Sequence, residues 1–460
     1  MGAARPATLR AVLPDPATCY EALASRDRRF EGRFVVGVTT TGIYCRPGCP
    51  ARLPKREHTR FFAGPVVAEA AGFRACRRCR PDRGVEASLW GRKSATVAHA
   101  LRLLEEDEFR GDELALRAGV SARQLRRLFR DELGTSPHAL VAARRLRLAR
   151  ELIEAGELTL TAVAFASGFG SLRRFQAAWR AAHGSAPGRG GKTRLLADTE
   201  LCLRLPFRPP LAFAPLLEFL AARAIPGLES VDGQVYRRRV GSAEITVTPA
   251  DANSLALRVR GARGVALLPL VTAVRRLFDL DADPVLVDAH LRRDPLLRAH
   301  VAAWPGMRIP GAFDRFELLV RAVLGQQIRV AAARTLAGRL AADGFPTPQE
   351  LAAQDLRPLG LPRARAGALT DLARRVAAGT LDLTRGIAGP AGVGPWTAQY
   401  YALRGLGDCD AFPAGDHILA PFAARAERWR PWRGYAAIRL WHEATNPCNT
   451  DSARRSARSP

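Results

Sequence analysis

Two cysteine pairs near the N-terminus constrain this chain more than any other feature of its sequence. The first pair is Cys45 and Cys49, the second is Cys76 and Cys79, and 26 residues separate the pairs. Each pair can place two thiolates on one metal ion once the intervening segment folds. The spacing therefore predicts a tetrahedral zinc site, with a disulfide pair or unrelated buried thiols as the alternatives.

The cysteine pairs are surrounded by positive charge. The chain has a formal net charge of +26, which indicates a polyanionic partner. Its hydrophobic fraction of 47% is high enough for folded cores and excludes a disordered polycation. The cations nearest to the cysteines are Arg46, Arg52, Lys55, Arg56, Arg74, Arg77, Arg78 and Arg80.

The order of sequence patterns indicates several domains. Residues 34–39 read as a buried strand, and helical periodicity begins near residue 92. A Gly- and Pro-rich linker occupies residues 185–191, and strand alternation with a turn at 251–253 follows before helices resume. No run is long enough for a signal peptide or a membrane span. We expect a cytoplasmic protein, because the other cysteines are scattered: Cys19, Cys202, Cys409 and Cys448.

Two segments of the helical block share one layout. In each, a short helix leads into a glycine-containing turn, and a serine caps a second helix. Ser121 caps a helix that is predicted to run through Arg130, and Ser171 caps one that is predicted to run through Ala182. This is the helix-turn-helix plan, with a plain helical bundle as the alternative. The second helices carry side chains that reach phosphates and base edges, namely Arg123, Gln124, Arg126, Arg127, Arg130, Arg173, Arg174, Gln176 and Arg180.

Small and apolar residues recur at fixed spacing in both segments, at Ala115, Gly119, Ser121, Leu125 and Phe129 and again at Gly168, Phe169, Ser171 and Phe175. This spacing resembles the two half-repeats of an AraC-type DNA-binding domain. Zinc-type cysteines directly upstream of such a domain resemble the N-terminal half of the Ada adaptive-response family. Residues 40–47 and 71–82 carry that resemblance.

The Ada resemblance implies a second role for Cys45. In that family the first cysteine is both a zinc ligand and a nucleophile, so Cys45 would accept a methyl group from a methyl phosphotriester in DNA. Methylation would remove one negative charge from a surface facing a polyanion and tighten DNA binding. A purely structural zinc site is the alternative. The chain has no Pro-Cys-His-Arg motif, so repair of O6-methylguanine is not expected.

A glycine-rich segment, residues 389–395, opens a helix in the C-terminal half. Backbone N–H groups of such a turn can bind a DNA phosphate. Asp416 follows 22 residues after Gly394. A hairpin followed by Pro-x-x-Asp resembles the helix-hairpin-helix DNA glycosylase superfamily. Three further stretches resemble AlkA-type 3-methyladenine glycosylases, at 316–327, 396–405 and 431–436, and the resemblance spans about residues 198–445.

The AlkA-type resemblance implies the roles of individual residues. Asp416 would be the catalytic carboxylate that stabilises positive charge on the sugar. Trp396, Tyr400 and Trp441 would line the pocket and stack on a flipped, cationic base. Core packing is the alternative for Tyr400 and Trp441, and a solvated or helix-capping role is the alternative for Asp416.

The same resemblance and the helix-turn-helix plan imply DNA contacts. Gln327 occupies the position of the family's inserted leucine wedge, beside Gln326, and Ala391 stands where the family usually has proline. The full set of implied DNA contacts is Gln326, Gln327, Gly392, Gly394, Arg123, Arg126, Arg127, Arg173 and Arg174.

Two departures from relatives narrow the expected chemistry. Trp396 stands where lyase-competent relatives place a lysine, so we expect a monofunctional glycosylase. Only Cys409 and Cys448 occur near the C-terminus, whereas iron–sulfur relatives have four clustered cysteines, so no iron–sulfur cluster is expected.

The sequence thus predicts a multidomain protein. The expected order is a small zinc-binding α/β domain (1–87), an all-α AraC-type double helix-turn-helix (92–188), a linker (189–197), an α/β subdomain (198–275), an all-α helix-hairpin-helix domain (276–445) and a basic disordered tail (446–460).

The predicted function joins methyl transfer to Cys45, transcription control and hydrolytic excision of N-alkylated purines. One alternative is a transcriptional regulator whose glycosylase half binds DNA without catalysis. Another is a glycosylase whose N-terminal half only anchors DNA. The expected partners are alkylated and promoter double-stranded DNA, with RNA polymerase implied by the regulator resemblance. We expect a monomer and no membrane partner.

Overall fold

The computed structural model describes most of the chain and divides it into two compact units. The first contains residues 13–188 with the short segments 265–270 and 281–283, and the second contains the remaining described residues. The predicted linker (189–197), the predicted tail (446–460), Arg77, Arg80 and Cys448 lie outside the described residues. Within the described ranges, no helix combines the length and apolarity needed to cross a membrane. Those ranges are 13–27, 30, 33–76, 78–79, 81, 94–106, 109, 112–156, 158–188, 200–261, 265–342, 344–387 and 389–445.

A four-stranded sheet carries the cysteines in the first unit. Its strand order is β3-β1-β2-β4, with β1 antiparallel to both neighbours and β4 parallel to β2. The strand predicted over 34–39 is shorter in the structure, because Thr39 already begins the turn to β2. The elements are α1 (Pro16–Ala24), β1 (Val35–Val38), β2 (Ile43–Cys45), β3 (Thr59–Phe62), α2 (Pro65–Ala70) and β4 (Arg74–Ala75).

Six helices follow the cysteine sheet between residues 94 and 188, within the residues that the structure describes. Buried residues recur at helical spacing on α5, at Leu125, Phe129 and Leu133, and this spacing fixes which face enters the core. The second helices of the two motifs run a little further than predicted, to Leu133 and His183. The helices are α3 (Ala95–Glu106), α4 (Glu113–Ala118), α5 (Ala122–Leu133), α6 (Pro137–Ala155), α7 (Leu160–Ala166) and α8 (Leu172–His183).

Helix α2 joins the cysteine sheet to the helical block. Val66 packs against the core formed by α3, α4 and α5. Gly134 ends α5 in the left-handed conformation, and a Cβ at this position would lie 3.0 Å from Val67 Cγ2. On the sheet side, the Tyr44 hydroxyl donates to Glu69 Oε1 over 2.7 Å. Helix α2 therefore packs on one side against the cysteine sheet and on the other against the core of the first helix-turn-helix.

A five-stranded antiparallel sheet opens the second unit, in the order β5-β9-β8-β7-β6. The predicted alternation is confirmed on β9, where Leu255, Leu257 and Val259 are buried. The predicted turn is also present, and Asp251 Oδ1 accepts from the Asn253 N–H over 2.8 Å. The elements are β5 (Leu201–Pro206), α9 (Phe213–Ala221), β6 (Glu229–Asp232), β7 (Val235–Val240), β8 (Ala243–Asp251) and β9 (Ser254–Arg260).

Helices complete the second unit around an apolar core to which α13 contributes Leu319, Val320 and Val323. The helices are α10 (Leu267–Leu277, of which residues 271–277 belong to this unit), α11 (Pro284–Leu291), α12 (Pro295–Ala303), α13 (Arg315–Leu324), α14 (Val330–Leu340), α15 (Pro348–Ala353), α16 (Arg363–Ala377), α17 (Pro395–Gly405), α18 (Ala423–Ala426) and α19 (Arg433–Thr445).

A buried ionic network fastens the sheet to α13. Arg238 on β7 forms a bidentate pair with Glu317, and Arg321 donates to both Glu317 and Glu229 over 2.8 Å. Burial alone would raise the pKa of Glu317, but Arg238 and Arg321 lower it below the ordinary value. Because each charge is paired, the network holds the register of sheet and helix, and loss of one partner would leave an uncompensated buried charge.

Two buried histidines make the stability of the second unit dependent on pH. His300 on α12 and His442 on α19 face each other at 3.1 Å between Nε2 and Nδ1. Arg439 lies 3.3 Å from His300 Nδ1, and Glu218 lies 3.6 Å from His442 Nε2. Burial, Arg439 and His442 lower the pKa of His300 to about 3. The folded protein therefore keeps this ring neutral at pH values where an unfolded chain would protonate it.

We expect the free energy of unfolding to decrease as the pH falls below about 6.5, where the unfolded chain binds a proton at His300, by about 1 kcal/mol per pH unit. Above this value both states are neutral and the contribution vanishes. Denaturant titrations at a series of pH values should show a smaller decrease for His300→Gln than for the wild type. The half-buried His290 provides a matched control substitution. A decrease of equal size in wild type and His300→Gln would contradict the prediction.

Candidate functional sites

Strand pairing brings the two cysteine pairs together. Tyr44 and Ala75 are opposite each other on the parallel strands β2 and β4, so Cys45 and Cys76 follow side by side. The Cys76 N–H donates to the Tyr44 carbonyl over 3.0 Å at this point. A tight turn returns Cys49 toward Cys45, with its N–H donating to the Arg46 carbonyl. The four sulfur atoms, with that of Cys79, all lie within 4.8 Å of one another.

The four cysteines fit a tetrahedral metal site. Cys45, Cys49 and Cys76 are only 8%, 5% and 9% exposed, and Cys79 is the most exposed of the four. Hydrogen bonds to Cys49 and Cys79, together with burial, raise the pKa of the Cys45 thiol. A bound cation would reverse this effect, because a coordinating thiol is deprotonated outright. An all-thiolate donor set of this spacing is typical of zinc. Burial does not distinguish Cys45 from its neighbours as the reactive sulfur.

Two helix surfaces in the first unit are suited to DNA. Ser121 and Ser171 each accept a hydrogen bond from a backbone N–H of the following helix over 3.2 Å, as the capping prediction requires. Gly119 and Gly168 adopt positive φ values of 75° and 87° in the turns, a conformation that favours glycine. The arginines predicted to contact DNA are all exposed on α5 and α8, namely Arg123, Arg126, Arg127, Arg173 and Arg174.

Asp416 lies in a loop of the second unit, close to α19. Its Oδ1 atom accepts from the Trp441 indole N–H over 3.0 Å and from the Ile418 N–H over 3.0 Å. Among the described residues, none donates a hydrogen bond to Oδ2. One carboxylate oxygen is thus held by two hydrogen bonds, and the second oxygen accepts none from the described residues.

The three predicted pocket aromatics meet beside Asp416. Trp396 and Tyr400 are four residues apart on α17, and their rings stack with centroids 5.0 Å apart at 13°. Trp441 meets Tyr400 edge-on, with centroids 6.1 Å apart at 61°. Of these three aromatic residues, Trp441 is the one that bonds to Asp416, so it has a polar role that the sequence did not indicate. A planar ring can add to the outer face of such a stack.

The glycine-rich hairpin precedes α17 and packs on α16. Gly392 has φ +80°, and a Cβ there would lie 2.6 Å from Ala368 Cβ, so this position requires glycine. Gln326 Nε2 donates to the Gly392 carbonyl over 2.7 Å and to Thr397 Oγ1 over 3.0 Å. These two bonds occupy the Gln326 amide group and therefore compete with the DNA contact predicted for this residue. Gln327 is exposed with φ +59°, in the turn before α14.

We expect Trp441→Phe to slow base release about tenfold, because loss of the indole N–H frees the Asp416 carboxylate to rotate away from its working orientation. The apolar packing of the ring is largely kept, so the melting temperature should change little. Single-turnover assays on alkylated duplex DNA measure the effect. Trp432→Phe gives a control on another tryptophan of the same unit. Equal rates for Trp441→Phe and wild type would contradict the proposed orientation.

Family models match three parts of the chain. The metal binding domain of Ada matches residues 18–82, a helix-turn-helix domain matches residues 114–191, and the AlkA N-terminal domain matches residues 202–314. The first match covers the cysteine sheet, and the second covers both helix-turn-helix motifs. The third covers the five-stranded sheet and the helices that follow it.

Relatives match both halves of the chain. A probable bifunctional transcriptional activator/DNA repair enzyme AlkA from Mycobacterium tuberculosis is 40% identical over 94% of this chain and 97% of its own length. DNA-3-methyladenine glycosylase 2 of Escherichia coli is 36% identical over 52% of this chain and 96% of its own. The Ada activator/repair enzyme of E. coli is 38% identical over 31% of this chain and 40% of its own. The chain belongs to the family of bifunctional transcriptional activator/DNA repair enzymes, with an Ada-type half followed by an AlkA-type half.

Proposed function

We propose that the second unit hydrolyses the N-glycosidic bond of N-alkylated purines in duplex DNA. The convergence of Asp416 with the aromatic stack carries this proposal. An alkylated purine is cationic and leaves as a neutral base, taking the electron pair of the C1′–N bond. Positive charge then develops on the sugar, where the Asp416 carboxylate stabilises it. Water adds at C1′ and loses its proton, so no covalent enzyme intermediate is required.

Selectivity for alkylated bases would come from the aromatic rings. The Trp396–Tyr400 stack offers π faces that attract a cationic ring more strongly than a neutral one. Because the target atom is inaccessible within the duplex, the base must leave the helix to reach these rings. We propose that Gln327, which is exposed and follows the hairpin-bonded Gln326, enters the space left behind.

For the first unit, we propose that Cys45 accepts a methyl group from a DNA methylphosphotriester. The Cys45 sulfur forms a bond to the methyl carbon, the carbon–oxygen bond breaks, and a phosphodiester anion leaves. Bound zinc would supply the deprotonated sulfur. The choice of Cys45 among four similar sulfurs rests on the match to the Ada metal-binding domain rather than on exposure.

Methylated Cys45 would then favour promoter binding through the arginines of α5 and α8. Helix α2, which packs against both the cysteine sheet and the core that contains α5, would link the acceptor to the first DNA-binding helix. We further propose the domain limits given above and RNA polymerase as a partner, because the relatives are described as transcriptional activators. The protein is proposed to act as a monomer.

One methylated duplex tests both activities together. Incubation with the full chain should release free N-alkylated purine and should also leave one methyl group on the protein, at Cys45. Chromatography detects the base, and mass spectrometry of proteolytic peptides locates the methyl group. Release without protein methylation would reduce the first unit to a DNA anchor. Methylation without release would leave a regulator with an inactive glycosylase half.

A further inference from the structure

Beneath the aromatic stack lies an arginine to which the sequence assigned no role. Arg404 is four residues after Tyr400 on α17 and only 5% exposed. All of its bonds stay within the protein: Nε donates to the Pro310 carbonyl over 2.7 Å, and Nη2 donates to the Gly311 carbonyl over 3.1 Å. The remaining nitrogen, Nη1, donates to the Tyr400 hydroxyl.

Aromatic packing holds the same guanidinium in place. The Arg404 Cζ atom lies 4.8 Å from the ring centroid of Phe219 on α9, and Arg223 stacks on the same ring at 3.7 Å. With two carbonyls in its plane and a ring against it, the guanidinium has one orientation. Tyr400 is therefore fixed at both ends, by its backbone on α17 and by its hydroxyl on Arg404.

We propose that Arg404 is a positioning residue for base recognition, which fixes the direction of the Tyr400 side chain through its hydroxyl and thereby preforms the Trp396–Tyr400 stack. This inference rests on the proposed function, since it assigns the stack to base binding. A phenol ring without the bond could rotate about its side-chain torsions, and ordering it on binding would then oppose binding. Arg404 removes that cost from a buried position, since its side chain is bonded to the Pro310 and Gly311 carbonyls.

The hydroxyl environment supplies an independent signature of the contact. Burial alone would raise the pKa of Tyr400, but Arg404 and Arg223 lower it below the ordinary value. In contrast, burial and Glu229 raise the pKa of Tyr236, and burial and Asp279 raise that of Tyr435. Loss of the Arg404 charge should move the Tyr400 pKa upward, and this can be measured without DNA.

The test is a double-mutant cycle on the full chain. Arg404→Met and Tyr400→Phe should each slow single-turnover release of 7-methylguanine from duplex DNA about tenfold, since each frees the ring. The double variant should be no slower than either single variant, because both changes remove one interaction. Arg404→Lys should recover part of the rate. Tyr401→Phe, which removes a neighbouring hydroxyl bonded to the Leu383 carbonyl, is the matched control and should keep the wild-type rate.

Several outcomes would overturn the proposal. Arg404→Met also removes the bonds to the Pro310 and Gly311 carbonyls. The lysine variant is therefore also compared in the Tyr400→Phe background, where it should have no effect. If substitution of Arg404 slows base release equally in the wild-type and Tyr400→Phe backgrounds, Arg404 does not act through Tyr400. The titration of the Tyr400 hydroxyl is obtained from ultraviolet absorbance by subtracting the curve of the matching Tyr400→Phe variant. A Tyr400 pKa that is the same with and without Arg404 also contradicts the proposal. If wild type releases no base, the proposed function fails, whereas the titration still decides the Arg404–Tyr400 contact.

Discussion

Asp416→Asn should reduce the release of 3-methyladenine and 7-methylguanine by about a thousandfold, because the substitution removes the negative charge that stabilises the developing sugar cation. The amide oxygen can still accept from Trp441 and Ile418, so the loop geometry should persist. Single-turnover assays on a methylated duplex measure the rate. DNA affinity, measured separately by fluorescence anisotropy, should stay within a few-fold of wild type, since the charge acts mainly in the transition state.

Asp355→Asn is the matched control for this prediction. Asp355 is an exposed carboxylate of the same unit, bonded to Arg357, and lies outside the proposed site. Its substitution should leave base release unchanged. If Asp416→Asn also released bases at the wild-type rate, Asp416 would be a structural side chain, and the regulator with a DNA-binding but non-catalytic half would become the better account of the chain.

Local spacing predicted the cysteine site, whereas family resemblance predicted the residues of the second site. Ligand spacing predicted the four-cysteine cluster, because a thiolate pair three or four residues apart can share one ion wherever the chain folds. The AlkA-type resemblance predicted that Trp396 and Tyr400 line a pocket. Helical spacing explains their stacking, since residues four apart meet on one face.

Long-range contacts were beyond sequence reasoning. The Trp441 indole bonds to Asp416 because the tertiary fold brings α19 next to the loop that holds Asp416. No sequence pattern near either residue indicates this contact. Gln326 was predicted to contact DNA, yet its amide bonds to the Gly392 carbonyl, 66 residues away. Arg404 could have been noticed from its spacing to Tyr400, but its partners Pro310 and Gly311 come from a distant segment.

Methyl transfer should mark one of the four cysteines and change DNA affinity. After reaction with DNA carrying methylphosphotriesters, we expect one methyl group on Cys45 and none on Cys49, Cys76 or Cys79. Promoter affinity should rise about tenfold at low salt, because a thioether replaces a thiolate on a surface that faces phosphate. The gain should shrink as salt is added, since screening weakens the repulsion that methylation removes. Peptide mass spectrometry and binding titrations at several salt concentrations measure these effects.

Cys45→Ser should abolish methyl acceptance, whereas Cys19→Ser, a substitution of a buried cysteine outside the cluster, should leave it intact. The comparison holds at a fixed zinc content, which must be measured for each variant because loss of a ligand weakens the metal site. If zinc-loaded Cys45→Ser still gained a methyl group, the acceptor would be another sulfur of the cluster. Cys79 would then be the first candidate, because it is the most exposed of the four and its sulfur lies within 4.8 Å of the others.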